Sequence, residues 1–207
     1  MHSVFAVVAL SGALAATSAL ATPVYTLEWL GDLPGGSVSS RGSDINEAGQ
    51  VVGQSSSSNG SRAFIWDPVN GMRDLGDIPG GANSLIQAYA INDLGQVVGT
   101  GRVTEPAGPE PDAEPIESER AFLWDPVTGM EDLGDLPGGA FYSEARDINN
   151  RGQVTGFSDT GNGWQVFLWD RENGLQDQSL LPGGDFFCFN DDLCYTNFAL
   201  GLNDAGQ

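Results

Sequence analysis

Lysine is absent from this chain, and its one histidine, His2, lies in the apolar N-terminal segment. Without these residues the rest of the chain cannot form Ser-His-Asp or Cys-His catalysis, a lysine Schiff base, or a histidine-ligated zinc or iron site. Carboxylate chemistry and oxygen-ligated cations are the classes that stay open. We therefore predict that the protein is not an enzyme, with no catalytic residue and no cofactor, although calcium is left open.

Positive charge is scarce as well. Eight arginines stand against 28 aspartates and glutamates, so the formal net charge is −20, and the acidic residues are spread along the whole chain. Such a surface repels phosphates instead of neutralising them, which excludes nucleic acid as a partner.

Long apolar runs are confined to the N-terminus. Residues 1–21 are almost wholly apolar and end in Ala19-Leu20-Ala21, a small-x-small pattern typical of signal peptidase sites. We predict a secretory signal peptide over residues 1–21, and hence a secreted protein or one of the cell envelope. The alternative, a membrane anchor, would need about 20 apolar residues flanked by charges. After removal of the signal we expect no membrane span.

Cysteine occurs twice, at Cys188 and Cys194, with five residues between them. In an exported chain with no other cysteine, this spacing predicts a small-loop disulfide. Two thiols without other soft ligands make a poor metal site, so we predict none there.

Three sequence blocks recur in a fixed order. The first is Leu-Gly-Asp-Leu-Pro-Gly-Gly, the second Ile-Asn-x-x-Gly-Gln-Val-x-Gly, and the third Arg-Ala-Phe-Leu-Trp-Asp. Residues 62–81 and 120–139 match at 16 of 20 positions. A period of about 45 residues is typical of stacked supersecondary units.

The blocks predict the following organisation. Residues 22–36 form a partial N-terminal repeat strand, and residues 37–81 form repeat 1. Repeat 2 covers 82–139, with an acidic Pro-rich insertion over 102–119 that its composition predicts to be a surface loop. Repeat 3 covers 140–184. Residues 185–207 form a truncated repeat 4 with a cysteine-containing insertion.

Each unit contains four short strand candidates separated by turn signals, which indicates an antiparallel meander. The Asn-x-x-Gly segments predict short hairpin turns with glycine at positive φ. The third strand is apolar at consecutive positions, so both of its faces should be buried between neighbouring sheets. We predict an all-β, β-propeller-like array of four-stranded antiparallel units, incomplete at its ends. A β-solenoid is the alternative. Exposed strand edges would allow self-association.

The three linked blocks resemble the HAF repeat family of exported bacterial proteins over essentially the whole mature chain. The histidine of the motif that names the family is replaced here by Arg62, Arg120 and Gln165. The resemblance implies an extracellular or envelope location and a repeat fold, and it implies no activity.

Several polar residues are candidates for a site. The Asp-Ile-Asn segments at Asp44 and Asp147 resemble the start of calcium loops but lack the later Asp and the bidentate Glu of an EF-hand. The stretch 190–192 is a comparable candidate. Because turn chemistry explains the Asn and Gly without a metal, we favour a structural role for both segments.

Repeated carboxylates could act as general acid and base on a glycan. A catalytic residue is needed once, however, whereas a turn residue is needed in every copy. Repetition therefore favours a structural role for the recurring aspartates, which are Asp67, Asp74, Asp125, Asp132 and Asp170.

Three tryptophans recur at the same position of the repeat and are predicted to lie in the core. Two stand outside the register, and Trp164, in a glycine-rich loop, is the better candidate for stacking on a sugar. The in-phase tryptophans are Trp66, Trp124 and Trp169, and the others are Trp29 and Trp164.

Two functions remain open. The leading one is a secreted, non-catalytic binding or structural module for glycan, protein or surface matrix. The alternative is a carboxylate-dependent, glycan-degrading propeller enzyme, which would need a non-repeated acidic cluster near one end of the axis.

Overall fold

A computed structural model describes residues 27–81, 86–105, 115–139, 142–161, 163–178, 187–190, 193–195 and 201–207. The described residues contain no helix of the length and hydropathy that a membrane span requires. Their regular structure is entirely β. The strands are β1 (Gly35–Ile45), β2 (Val51–Ser57), β3 (Gly60–Asp67), β4 (Gly71–Asp74), β5 (Ile86–Ile91), β6 (Val97–Glu105), β7 (Ile116–Asp125), β8 (Gly129–Gly134), β9 (Ser143–Ile148), β10 (Val154–Asp159), β11 (Trp164–Asp170), β12 (Gly174–Asp177), β13 (Phe187–Asn190) and β14 (Leu193–Tyr195).

The strands form three consecutive meanders. Strands β1 to β4 make the sheet of unit 1, β5 to β8 that of unit 2, and β9 to β12 that of unit 3, with antiparallel pairing between neighbours in each meander. This arrangement confirms the predicted propeller-like array of four-stranded units. Antiparallel pairing within each unit excludes the parallel rungs of a β-solenoid.

The third strand of each unit shows why the sheets stack. In β7 the side chains of Phe122 and Trp124 pack towards unit 1, whereas Leu123 packs towards unit 3. Alternation along a strand sends successive side chains to opposite faces. Consecutive apolar residues are therefore required when a sheet lies between two others.

Two cores lie between the sheets. Unit 1 contributes Val52 and Ile65 to the first core, facing Ile91 and Val97 of unit 2. The second core packs residues such as Leu123 of unit 2 against unit 3. Complete burial of one such side chain contributes about 1.5–3 kcal/mol. Of the predicted core tryptophans, Trp169 belongs to the second core and Trp124 packs on the first, whereas Trp66 is buried in a separate cluster on unit 1.

The first strand of each unit lies closest to the preceding sheet. Strand β5 lies against β1, β2 and β3, and β9 lies against β5, β6 and β7. The three first strands, β1, β5 and β9, are therefore neighbours on the inner side of the array. Side chains that leave these strands away from the cores share one surface.

Two expectations need correction. Residues 27–30 lie in the segment predicted to be a partial repeat strand but have no strand structure, and of that segment only Gly35 and Gly36 belong to a strand, the start of β1. Instead Leu30 and Leu33 pack on Phe64 and Trp66 at the outer face of unit 1.

The loop predicted for the acidic insertion was wrong at both of its ends. Residues 102–105 extend β6, and residues 116–119 belong to β7, paired from Arg102 with Glu119 to Glu105 with Ile116. Val103 and Ser118 are buried, which explains why pairing continues into a polar segment. Residues 106–114 lie outside the described residues.

The cysteine-containing insertion includes the hairpin of β13 and β14. Its register places the backbones of Cys188 and Cys194 directly opposite each other. Opposite residues of antiparallel strands have Cα atoms about 4.5–5.5 Å apart, within the range that a disulfide bridges. The register thus suits the bond, which stays a prediction. The signal peptide predicted over residues 1–21 lies outside the described residues.

Candidate functional site

Each first strand contains the same β-bulge. In unit 2, Ala88 pairs with Gly99 and Ala90 with Val98, so Tyr89 is left as an extra residue. The register shifts at the same place in β1 and β9, where the extra residues are Ser43 and Arg146. A bulge re-aims the side chain of its extra residue. We call Ser43, Tyr89 and Arg146 the bulge residues.

The bulge explains the glycine that ends the Gln-Val-x-Gly block. A Cβ built on Gly99 would overlap the carbonyl oxygen of Gln87 and lie 2.9 Å from Cε1 of Phe122. Gly53 and Gly156 meet the carbonyl oxygens of Arg41 and Glu144 in the same way. Only glycine lets the second strand approach the bulged strand this closely.

The bulge residues line a groove along the inner side of the array. Its volume is about 450 Å³, and its walls come from the first strands of all three units and from β2. We call it the inner groove. Its lining residues are Arg41, Gly42, Ser43, Gln54, Gln87, Ala88, Tyr89 and Arg146.

Polar contacts run across the inner groove from one unit to the next. The guanidinium of Arg146 lies 4.7 Å from the centre of the Tyr89 ring, a cation–π contact. The hydroxyl of Tyr89 donates to Gln87 Oε1 at 2.7 Å, and Gln87 Nε2 donates to Gln54 Oε1 at 2.9 Å. Gln54 is the cross-strand neighbour of Arg41. The three contacts join Arg146, Tyr89, Gln87 and Gln54 in a continuous row.

Beyond Arg146 the row continues through a buried carboxylate. Arg146 Nη2 lies 2.6 Å from Glu144 Oε1, and the hydroxyl of Tyr142 donates to Glu144 Oε2 at 3.2 Å. Tyr142 also packs edge-to-face with Trp164, their ring centroids 4.5 Å apart. Trp164, predicted to stack on a sugar, is therefore half-buried beside this end of the groove, whereas Trp29 lies exposed elsewhere.

The two tyrosines of this region are neutral hydrogen-bonding groups. Burial, followed by the charge of Glu144, raises the pKa of Tyr89 and of Tyr142 above the ordinary phenol value. Glu119 contributes to the same shift in both tyrosines. Neither phenol can supply an anion near neutral pH.

A second shared feature joins the Asn-x-x-Gly turns. The side-chain Nδ2 of Asn46 donates to the carbonyl oxygen of Asn92, Asn92 donates to Asn149, and Asn149 donates to Asn203, each at 3.0 Å. We call these four residues the asparagine ladder. It links each of the turns at Asn46, Asn92 and Asn149 to the next turn along the chain.

The aspartates considered for calcium serve this same junction. Asp44 accepts the N–H groups of Ile45 at 2.8 Å and of Ile91, in the next unit, at 2.9 Å. Asp147 does the same for Ile148 and Leu202. These bonds give both carboxylates a role without a cation, and no cluster of three or more potential metal ligands is present among the described residues. Of the stretch 190–192, only the backbone of Asn190 belongs to them.

The aspartates that follow the tryptophans form turns, as predicted. Asp67 Oδ1 accepts the N–H groups of Val69 and Asn70 at 3.0 and 2.8 Å. Hydrogen bonds from Asn70, chiefly from its side chain, lower the pKa of Asp67. Asp125 and Asp170 accept the equivalent pairs of N–H groups.

The arginine that replaces the motif histidine is an anchor within its own unit. Arg62 is buried and pairs with Asp74, Nε to Oδ2 at 3.0 Å, and with Asp77. Burial alone lowers the pKa of Arg62, but the bonds to Asp77 and Asp74 outweigh it and leave that pKa raised. Arg120 pairs in the same way with Asp135. Unit 3 has neither charge of this pair, because Gln165 and Leu180 stand at the two positions.

Because unit 3 lacks both the arginine and the aspartate of this pair, we predict that Arg62 and Asp77 are energetically coupled. We expect Arg62→Gln to lower the free energy of unfolding by about 2–3 kcal/mol, below the cost for a fully buried pair because Asp77 is 39% exposed. Asp77→Leu should cost about 1–2 kcal/mol. The double variant, which copies unit 3, should cost at least about 1 kcal/mol less than the sum of the two. Urea unfolding of the four proteins measures the coupling, and additivity within about 0.5 kcal/mol would contradict it.

No family model, curated protein sequence or solved structure matches this chain.

Neither the inner groove nor the asparagine ladder was predicted from the sequence. The available signal for the groove was disagreement between the copies, since Ser43, Tyr89 and Arg146 occupy one repeat position with three different chemistries.

Proposed function

We propose that this protein is a secreted, non-catalytic binding module whose ligand occupies the inner groove. The repeated residues build the scaffold, namely the cores, the turns and the asparagine ladder. The residues that differ between units at the bulge line one concave surface, the inner groove. A site needs different side chains at equivalent positions, whereas a scaffold needs the same ones.

The observation that carries this proposal is the bulge shared by the three first strands. In each unit the bulge adds to the first strand one residue that has no partner in the pairing with the second strand. The extra residues Tyr89 and Arg146 line the inner groove. Bulges are common where a strand must present a side chain to a site.

The chemistry of the inner groove suits recognition more than reaction. Cations, amides, a hydroxyl and an aromatic ring are present, and contacts between neighbouring units hold most of them in place. Pre-ordered polar side chains around an aromatic surface reduce the entropy lost on binding.

Tyr89→Ser tests this proposal, because serine is the residue that unit 1 carries at the bulge. The full chain is screened against arrayed extracellular polysaccharides and proteins, and the affinity for the strongest ligand is measured by calorimetry. We expect Tyr89→Ser to weaken binding by about tenfold or more, since a central tyrosine commonly contributes 2 kcal/mol or more.

Val127→Ser is the matched control. Val127 is 90% exposed at an outer turn and is far from the inner groove in the order of strands. The control should bind as the unaltered protein does. Equal affinity of the Tyr89→Ser variant would remove the groove as the site, and so would the absence of any ligand.

One observation favours the enzyme as a second candidate. Glu144 and Glu119 are not repeated in the other units. Glu144 accepts a hydrogen bond from the hydroxyl of Tyr142, and Glu119 contributes to the raised pKa of that phenol. In this second reading they would be the carboxylate pair of a glycan-degrading site. Release of reducing ends from a bound polysaccharide, abolished by Glu144→Gln, would favour the enzyme over the binding module.

A further inference from the structure

We propose that the inner groove selects an acidic saccharide, with Arg41 holding a carboxylate of the ligand. This inference rests on the proposed binding function and names its ligand class. It follows from the distribution of cations in the chain, from the row of side chains along the groove, and from the polarity of the groove walls.

Arg41 has an unusual environment for an arginine of this protein. Carboxylates outnumber arginines by 28 to eight, and six arginines have an acidic partner, as shown by the pairs of Arg62, Arg73, Arg102, Arg120, Arg146 and Arg171. Arg41 is exposed at the groove and forms no ion pair with any described residue. A cation left unneutralised among so many carboxylates is available to an anion from outside.

The groove is polarised along its length. Arg41 lies at the end formed by unit 1, whereas the charge of Arg146 at the other end is balanced by Glu144. Between them the amides of Gln54 and Gln87 and the ring of Tyr89 form the row already described. A ligand with its anionic group over Arg41 and neutral hydroxyl groups along the row matches this order.

The walls favour a saccharide over an acidic peptide. Ala88 and the Tyr89 ring are the apolar surfaces that the lining offers, so there is no apolar pocket for a peptide side chain. Amide, guanidinium and phenol groups donate and accept hydrogen bonds to hydroxyls, and an aromatic face packs on a sugar ring. Arginine binds a carboxylate through two parallel hydrogen bonds.

The test compares two forms of one ligand. A neutral oligosaccharide that ends in one uronic acid, and the methyl ester of that acid, have the same rings and linkages but differ by one charge. With the full chain, calorimetry should show the acid binding about 10- to 100-fold tighter than the ester, the ratio expected for a charge-assisted hydrogen bond. Arg41→Gln, which introduces the residue of unit 2 at this position, should bring the affinity for the acid down to that for the ester and so remove the ratio.

Arg151→Gln is the matched control, because Arg151 is exposed, has no acidic partner among the described residues, and lies in an Asn-x-x-Gly turn outside the groove. It should keep the preference for the acid. Equal affinity for acid and ester, an acid preference that survives Arg41→Gln, or no saccharide binding at all would overturn this inference. Binding of a poly-glutamate peptide in place of both saccharides, still sensitive to Tyr89→Ser, would overturn the ligand class and leave the proposed function standing.

Discussion

Replacing Gly99 by alanine is expected to lower the free energy of unfolding by about 4 kcal/mol or more, a large part of the stability of an ordinary domain. The added methyl group would overlap the carbonyl oxygen of Gln87 and press on the Phe122 ring at 2.9 Å. Neither can yield easily, because Gln87 belongs to a paired strand and Phe122 is fully buried. Denaturant unfolding followed by tryptophan fluorescence measures the loss.

Gly42→Ala is the control for the loss of a glycine in the same kind of pairing. A Cβ on Gly42 would lie 3.3 Å from Val51 Cγ1 and meets no backbone atom closer than 4.0 Å, and units 2 and 3 carry Ala88 and Ala145 at this position. We expect a change within about 1 kcal/mol, in either direction. If the Gly99 and Gly42 variants lost similar amounts of unfolding free energy, the close approach of the two strands at the bulge would not be the reason that glycine is required at position 99.

Local features of the sequence predicted most of the scaffold. The Asn-x-x-Gly turns, the Asp-Pro turns and the strands between them depend on neighbours within a few residues, so sequence pattern suffices for them. The sequence pattern also predicted that both faces of the strands containing Phe-Leu-Trp are buried, because a run of consecutive apolar residues places apolar side chains on both faces. Trp66 and Trp169 are buried accordingly.

The bulges could not be predicted in this way. A bulge depends on the register of two strands, and one extra residue such as Tyr89 leaves no mark on a pattern read along one strand. The recurrence of Gly53, Gly99 and Gly156 at the end of the Ile-Asn-x-x-Gly-Gln-Val-x-Gly block was visible, but its cause lies in a carbonyl group of the partner strand. Without the bulges, the residues of the inner groove had no reason to be grouped.

The asparagine ladder was hidden for a related reason. Within one turn, Asn92 already has a complete explanation, since its Oδ1 accepts the N–H groups of Leu94 and Gln96. The bond from its Nδ2 to Asn149 depends on how two units are placed beside each other. The same holds for Asp44 and Ile91. Contacts between units need the stacking geometry, which the sequence of one unit does not contain.

Asn92→Ala should lower the free energy of unfolding by about 3–4 kcal/mol. The change removes two hydrogen bonds donated by Nδ2, to Gln96 Oε1 and to the carbonyl oxygen of Asn149, and two accepted by Oδ1. Asn92 is 4% exposed, so its partners are not all solvated afterwards. Each lost bond costs about 0.5–1.5 kcal/mol, and a buried unsatisfied group costs more. Urea unfolding gives the value.

Asn203→Ala separates the ladder from the turn. Asn203 accepts the same two bonds within its turn, from Ala205 and Gln207, but its Nδ2 has no acceptor among the described residues, either in its own turn or in a following unit. We expect a loss of about 1 kcal/mol or less, because the site is exposed. If both variants lost the same amount, the bonds between units would contribute nothing, and stacking would depend on the apolar cores alone.

Asn92→Asp adds a test that depends on pH. An aspartate here keeps the shape and the acceptor but directs a second oxygen at Gln96 Oε1 and the Asn149 carbonyl, where the native residue donates. Burial beside two acceptors favours the protonated acid, so the folded-state pKa should exceed the unfolded value of about 3.9. The variant should then be most stable, relative to the native protein, below the unfolded pKa, and should lose that stability as the pH rises through the folded pKa. A stability difference that does not change between acid and neutral pH would mean that the Nδ2 donor of Asn92 is not needed to join the units.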